Sequence, residues 1–466
     1  MLSAKERKEI ISLIKQQVVP AMGCTEPMCV ALCVAKATED LGCLPEKIEV
    51  NLSANLLKNA MGVGIPGTGM IGLPIAIALG AIIGKSEYKL QVLKDLTPEA
   101  LEQGKKFIAE GRIDIQLKEN ITEKLYVEAI CKTPQQDPSQ TLPTREGLNP
   151  IDSADEKIAK AIIAGSHTNF IAPQPPKGES LIDSAGECDS ANKTNKNLPL
   201  GGIEGGDGNE GVPLSLSLVY DFATTAPLSE ISFILEAKEL NMNAAKESVH
   251  GNYGHCLGKT IERPMSHGIF GNSIFSHIIS KTALACDARM GGAMVPVMSN
   301  SGSGNQGICA TNPVVVYAQE NQNTEEELIR ALTLSHLTAI YIKQSLGTLS
   351  ALCGCVVAST GASCGITYLM GGDYDRICFA VNNMIANLTG MICDGAKPSC
   401  SLKIASGVST ALLSALLAME GKHVTSAEGI VDNDVDKTIH NLTSIGAKAM
   451  DDTDRMVLDI MTSKTP

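Results

Sequence analysis

Two cysteines in the segment MICDGAKPSC, residues 391–400, raise the first chemical question. Cys393 and Cys400 flank Gly395 and Pro398, which break helices, so both thiols belong to a tight loop between helices. Thiols so placed can face one metal centre, although free cysteine is also among the most buried residue types. A zinc hook separates its cysteines by about two to four residues, and this pair does not match it. A third thiolate is available in LSALCGC, at Cys353 or Cys355. Three thiolates without a fourth suit a [4Fe–4S] cluster that keeps one iron open for substrate. Cys364 and Cys378 lie in or beside helical runs and read as core, with a fourth-ligand role open to either.

The segment AMGCTEP, residues 21–27, holds the second candidate. Pro27 suits the first position of a helix, with Glu26 near its N-cap. Cys24 then sits just ahead of that N-terminus, where the helix dipole favours thiolate and lowers the thiol pKa. Such a thiolate can abstract a proton; a small apolar residue at a turn is the equal alternative. Cys29 and Cys33, four apart on the following helix, read as core.

The run SNSGSGNQG, residues 299–307, exposes backbone N–H groups and hydroxyls. Ser301, Ser303 and Asn305 are its candidates for holding a substrate carboxylate or a phosphate. Similar loops serve as tight turns between helices, or hold carboxylates in pyridoxal-phosphate enzymes. VGIPGTGMIG (63–72) lacks the lysine of a phosphate-binding loop and is no dinucleotide fingerprint. His167 and His336 are the histidines best placed for a polar site role, against a satisfied structural one.

These residues need elements to carry them. Residues 4–17 read as a helix, followed by a turn at Pro20 and a helix from about Pro27 to Asp40. A strand begins at 48, the apolar stretch 70–84 and residues 97–110 are helical, and 114–119 and 124–132 alternate like strands. Residues 158–172 read as a strand pair around a turn at Gly165–His167. Between Pro173 and Gly211 the chain is rich in Gly, Asn, Ser, Pro and Asp, so it reads as an exposed polar insert, with Cys188 inside it. Helical patterns then dominate: 213–222, 226–238, 241–248, 274–285, 325–343, 348–360, 376–391, 401–419 and 433–463. The expected fold class is α+β. An N-terminal α/β domain, 1–265, carries the Cys24 motif and the insert, and a mainly helical cluster-binding domain spans 266–466.

Composition narrows the partners. A chain of 466 residues suggests two or three domains. With 3% aromatics and no tryptophan, the interior must be filled by Ala, Ile, Leu, Val, Met and Gly. The net charge of −13 argues against a nucleic acid partner. The start is a charged amphipathic helix without a secretory apolar core, and the longest apolar run, 15 residues from Met70, is short for a membrane span. A cytoplasmic protein acting on a small molecule, with no membrane partner, is expected, and a homo-oligomer is compatible with the sequence. In a reducing compartment most of the 15 cysteines should be buried thiols rather than disulfides.

With these segments in place, the sequence resembles the L-cysteine desulfidase family, relatives of the α chain of iron–sulfur L-serine dehydratases. The resemblance runs through GCTEP (23–27), NLLKNAMGVGIPGTGMIGLP (55–74), VLKD (92–95), GSHTN (165–169) and DARMGGAMVPVMSNSGSGNQG (287–307). It continues in LSHLTAIYIK (334–343), LSALC (349–353), MICDGAKPSC (391–400), EGI (428–430) and TDR (453–455). It implies that Cys353, rather than Cys355, joins Cys393 and Cys400 in holding a [4Fe–4S] cluster, with Cys24 as the base. The implied reaction is pyridoxal-independent elimination of L-cysteine to sulfide, ammonia and pyruvate, the cluster acting as Lewis acid. The alternatives are an iron–sulfur L-serine dehydratase, a pyridoxal-phosphate lyase, a non-catalytic iron–sulfur sensor and a zinc-binding structural protein. The insert is longer and more polar than the family's connection, and Cys286, Cys309, Cys355, Cys364 and Cys378 are further competitors for iron.

Overall fold

In the computed structural model the described residues are 2–118, 121, 123–133, 157–171, 213–347 and 350–464; the insert read at 173–211, with Cys188, lies outside them. Period-two alternation builds the sheet. In the strand Lys47–Leu52, Ile48, Val50 and Leu52 all point inward and are fully buried. Among the described residues seven short strands are formed: β1 (Pro20–Met22), β2 (Lys47–Leu52), β3 (Ile113–Leu117), β4 (Tyr126–Lys132), β5 (Ile158–Ala164), β6 (Phe170–Ile171) and β7 (Pro296–Met298). Five form one sheet in the order β3-β2-β4-β5-β6, with β2 and β3 parallel and the other neighbours antiparallel. A parallel pair needs a crossover, and the helices Ala54–Ala60, Leu73–Ile82 and Pro98–Ala109 supply it. The helix Thr25–Leu41 packs across β4 and β5, burying Cys29 and Cys33 as core thiols, as their spacing predicts.

The second layer is a helical body made of Ile274–Met290, Gly304–Glu320, Glu325–Leu346, Gly354–Leu369, Tyr374–Leu388 and Cys400–Met419. It draws in Ala4–Gln17 from the start of the chain and Leu216–Thr225 and Leu235–His250 from before residue 265. Ile10, Ile14, Phe222 and Ala237 share one apolar core with Leu337, Val357 and Val408. Fold class is therefore α+β, as expected. Cys400–Met419 is the one described helix long and apolar enough to cross a membrane, but it packs against four helices of this body.

Two short strands join the parts. β1 pairs antiparallel with β7, Ala21 opposite Val297, and Ser299 and Ser301 donate their backbone N–H groups to Val19 and Gln17 at 2.9 Å each. The turn expected after Pro20 is thus a strand, and it sets Cys24 beside the 299–303 loop. The glycine-rich run ends as loop at Ser303. From Gly304 it becomes a 17-residue helix that the composition hides behind its glycines and the internal Pro313. The stretch 433–463, read as one helix, is two, Val435–Ser444 and Asp451–Thr462, separated by a wide turn at Ile445–Ala449.

Candidate active site

Four helices begin at one cavity. Cys24 is the N-cap of Thr25–Leu41, Ser303 of Gly304–Glu320 and Cys353 of Gly354–Leu369, while Cys400 is the first residue of Cys400–Met419. All four residues line the cavity. Each N-terminus leaves backbone N–H groups without intrahelical partners and carries a partial positive charge. An anion is the natural occupant of such a site.

Two cations add to this field. Arg289, in the last turn of Ile274–Met290, is 2% exposed, donates from Nη1 to Asn305 Oδ1 at 3.0 Å and leaves Nε without a partner. Lys343, near the end of Glu325–Leu346, is buried, and that burial lowers its pKa to about 8 against the pull of Cys393, Cys353 and Glu26. Among the described residues no carboxylate is ion-paired with either side chain. A buried guanidinium without a counter-charge is costly, so this corner of the cavity favours a ligand carrying negative charge.

The thiols are positioned by backbone pairing rather than by local spacing. Leu352 and Ile392 form an antiparallel bridge; Cys353 donates its N–H to Met391 at 2.9 Å and Cys393 to Ala351 at 2.6 Å. The two cysteines, forty residues apart, therefore lie side by side, and the Lys397–Cys400 turn brings Cys400 to the same cavity. Burial raises the Cys353 and Cys400 thiols, and neighbouring cysteines reinforce the effect. Cys355 also borders the cavity, but its Sγ is engaged with the Lys403 carbonyl at 3.2 Å and lies 3.8 Å from Cys309 Sγ. Beneath the loop, burial pushes Asp394 upward, but Lys397 and Lys403 outweigh it and hold the carboxyl at about 2.

Three soft thiols bordered by Lys343, Lys403 and helix N-termini suit an anionic iron–sulfur cluster. Among the described residues no three His, Cys, Asp or Glu side chains are grouped as a single metal ion requires.

Cys24 takes the expected place but not the expected protonation. Its Sγ lies 2.8 Å from Glu26 Oε2 and the residue is buried. Burial, then the Glu26 charge, pushes the thiol well above its ordinary pKa, and the opposing charge of Arg289 is outweighed. The helix dipole read from the sequence is thus overridden, and the thiol is a donor to Glu26. Thr25 Oγ1 lies 2.9 Å from the Gly302 carbonyl, fixing this turn against the 299–303 loop.

The remaining candidates divide. Ser301, Ser303 and Asn305 all line the cavity, although Ser303 Oγ caps Gln306 N at 3.4 Å and Asn305 Oδ1 is held by Arg289. His167 lines the cavity too; it is buried, its pKa is lowered by that burial, and its Nε2 has no partner. His336 does not. It stands behind the loop between Asn300 Nδ2 at 3.1 Å and Thr311 Oγ1 at 3.0 Å, with burial lowering its pKa to about 3. No motif marks Arg289 or Lys343 in the sequence, although a cation inside an apolar run such as LTAIYIK is itself a signal.

The sequence matches the family described as serine dehydratase alpha chain over residues 87–459. It is 61% identical to a UPF0597 protein of Bacteroides thetaiotaomicron over 459 residues, covering 98% of each chain. It is also 61% identical to one of Phocaeicola vulgatus over 465 residues, covering 100% of this chain and 99% of that one. A UPF0597 protein of Photobacterium profundum is 43% identical over 454 residues, covering 97% of this chain and 98% of that one.

Proposed function

Because the chain belongs to the serine dehydratase alpha-chain family, we propose that it is a lyase that eliminates the β-substituent of a small amino acid, with L-cysteine as substrate. The products are sulfide, and pyruvate and ammonia formed by hydrolysis of the released aminoacrylate. The observation that carries this reading is the meeting of Cys24, three cysteines and two cations without carboxylate partners at one cavity.

In this reading Cys353, Cys393 and Cys400 hold a [4Fe–4S] cluster, consistent with a family of iron–sulfur dehydratases. When bound, the cluster supplies a Lewis acid for the departing group. The chain's own residues do the rest. Arg289 and Lys343, with the N-terminus of Gly304–Glu320, receive the substrate carboxylate; Ser301, Ser303 and Asn305 shape that subsite. Cys24 takes the α-proton as general base, a role worth roughly 10²–10⁴-fold in rate. Burial of Cys24 and Arg289 keeps bulk water from both groups and strengthens their interactions.

The second reading is L-serine dehydration, which the name of the matched family favours. The test is release of pyruvate and sulfide by anaerobically purified, iron-reconstituted protein, with L-cysteine and L-serine run in parallel. Equal amounts of sulfide and pyruvate from L-cysteine support the proposal. Pyruvate from L-serine alone reassigns the substrate, and neither product from protein with a verified cluster rejects a lyase.

A further inference from the structure

The base assigned above is placed as a hydrogen-bond donor to Glu26, and burial favours its protonated form. A thiol that donates a hydrogen bond cannot accept a proton from carbon, so something must first remove its hydrogen. The geometry offers one acceptor. Glu26 Oε2 lies 2.8 Å from Cys24 Sγ, lines the same cavity, and receives a second contact from Thr25 Oγ1 at 3.0 Å. Glu26 stands in the first turn of Thr25–Leu41.

Resting on the elimination proposed above, we infer that Glu26 is the proton relay of Cys24, so that the two side chains work as a dyad. The S–H bond of Cys24 breaks, its electron pair stays on sulfur, and the proton forms an O–H bond on Glu26 Oε2. The Cys24 thiolate then takes the α-proton of the substrate. Glu26 returns its proton to the sulfide as it leaves, giving hydrogen sulfide, and both side chains end the cycle as they began. No oxidant, reductant or further reactant is needed.

Charged and titratable groups face the dyad from several elements. Arg289 faces Cys24 from Ile274–Met290; His167, at the β5–β6 turn, and Lys343, on Glu325–Leu346, face Glu26. Cationic substrate-binding groups on one side and the Glu26 charge on the other act in opposite senses on the thiol. Burial, and then the Glu26 charge, favour the protonated thiol in the resting site, and Glu26 is also the destination for its proton in turnover.

That double role gives a test that a merely structural residue would not satisfy. In anaerobic, iron-loaded protein, the pH dependence of Cys24 alkylation by iodoacetamide is followed by peptide mass spectrometry for wild type, Glu26→Gln and Glu26→Asp, beside turnover of L-cysteine. Removing the carboxylate charge should move the Cys24 alkylation midpoint at least one pH unit lower in Glu26→Gln. In the same variant kcat should fall about 10²-fold or more with little change in KM. More thiolate with less turnover is the signature of a lost relay, and Glu26→Asp should recover part of the rate. An unmoved alkylation midpoint, wild-type kcat in Glu26→Gln, or loss of iron in both variants would each overturn the dyad. If wild type turns over neither L-cysteine nor L-serine the elimination itself fails, while the midpoint comparison still reads the Cys24–Glu26 coupling.

Discussion

Lys58 donates from Nζ to the backbone carbonyl of Cys393 at 3.3 Å, tying the helix after β2 to the 391–400 loop 335 residues away. The ammonium is 1% exposed and is paired with Asp454 from the last helix. Residues from NLLKN and TDR, distant in sequence, thereby clamp one candidate ligand. Removing one member of a buried pair leaves the other without compensation, at a cost of roughly 3–5 kcal/mol. Lys58→Met should lose stability of that order in urea unfolding and hold less iron per chain after reconstitution. A variant with full iron and unchanged stability would show that the clamp does not position Cys393.

The proposed ligand set distinguishes Cys393 from Cys355. Cys393→Ala should lose the cluster absorption and most of its iron, because the backbone bridge aims Cys393 and Cys353 at one cavity. Cys355→Ala should keep both, since that thiol is already occupied by the Lys403 carbonyl. The measurement is iron and acid-labile sulfide per chain in proteins reconstituted side by side. Equal loss in the two variants would contradict the assignment of Cys353 over Cys355.

Arg289 should matter for affinity and hardly for folding. Its guanidinium is buried without a carboxylate partner, and a charged hydrogen bond to a ligand is worth about 1.5–3 kcal/mol, roughly 10- to 150-fold. Arg289→Met should therefore lower kcat/KM for L-cysteine by that factor, mainly through KM. Unfolding free energy should stay level or rise, because an uncompensated buried charge has been removed. A large loss of stability would mean that the arginine serves the fold instead.

Much of this is legible in the sequence alone. The strands at 48–52 and 126–132 follow from alternation, and the long helices from their apolar periodicity. Cys29 and Cys33 are readable as core from their spacing. Three things are not. β1 and β7 are three residues each, too short for a pattern, yet their pairing sets Cys24 beside the 299–303 loop. Gly304–Glu320 opens on residues that favour turns, and the Ser303 cap together with burial among its neighbours makes it a helix. The Cys24 thiol is read from its local dipole, whereas burial and a carboxylate two residues away decide its state.

His336 supplies a pH dependence. Burial lowers its pKa to about 3, against about 6.5 in an unfolded chain. Between these values the unfolded state binds a proton that the folded state does not, so stability rises with pH across this window and falls on acidification below about 6.5. The slope contributed by one such group is at most about 1.4 kcal/mol per pH unit. His336→Gln should be less stable near pH 7, having lost the bonds to Asn300 and Thr311, and should show a shallower acid slope. Urea unfolding at several pH values checks this, and identical slopes would remove His336 from the account.

Gly395 offers the sharpest separation of backbone strain from site geometry. It holds φ at +90°, and a Cβ there would lie 2.3 Å from the Lys58 carbonyl oxygen, so the loop must move to accept one. A left-handed residue other than glycine already costs roughly 1–2 kcal/mol. Gly111, at φ +69° with open space around its Cβ position, shares that strain but not the clash. Gly111→Ala should therefore lose about 1–2 kcal/mol and retain its iron. Gly395→Ala should lose more stability and also iron, because displacing the 393–400 loop moves two candidate ligands together. Iron per chain in the two variants decides the matter: equal retention would show that the Lys58 contact does not govern the ligand loop.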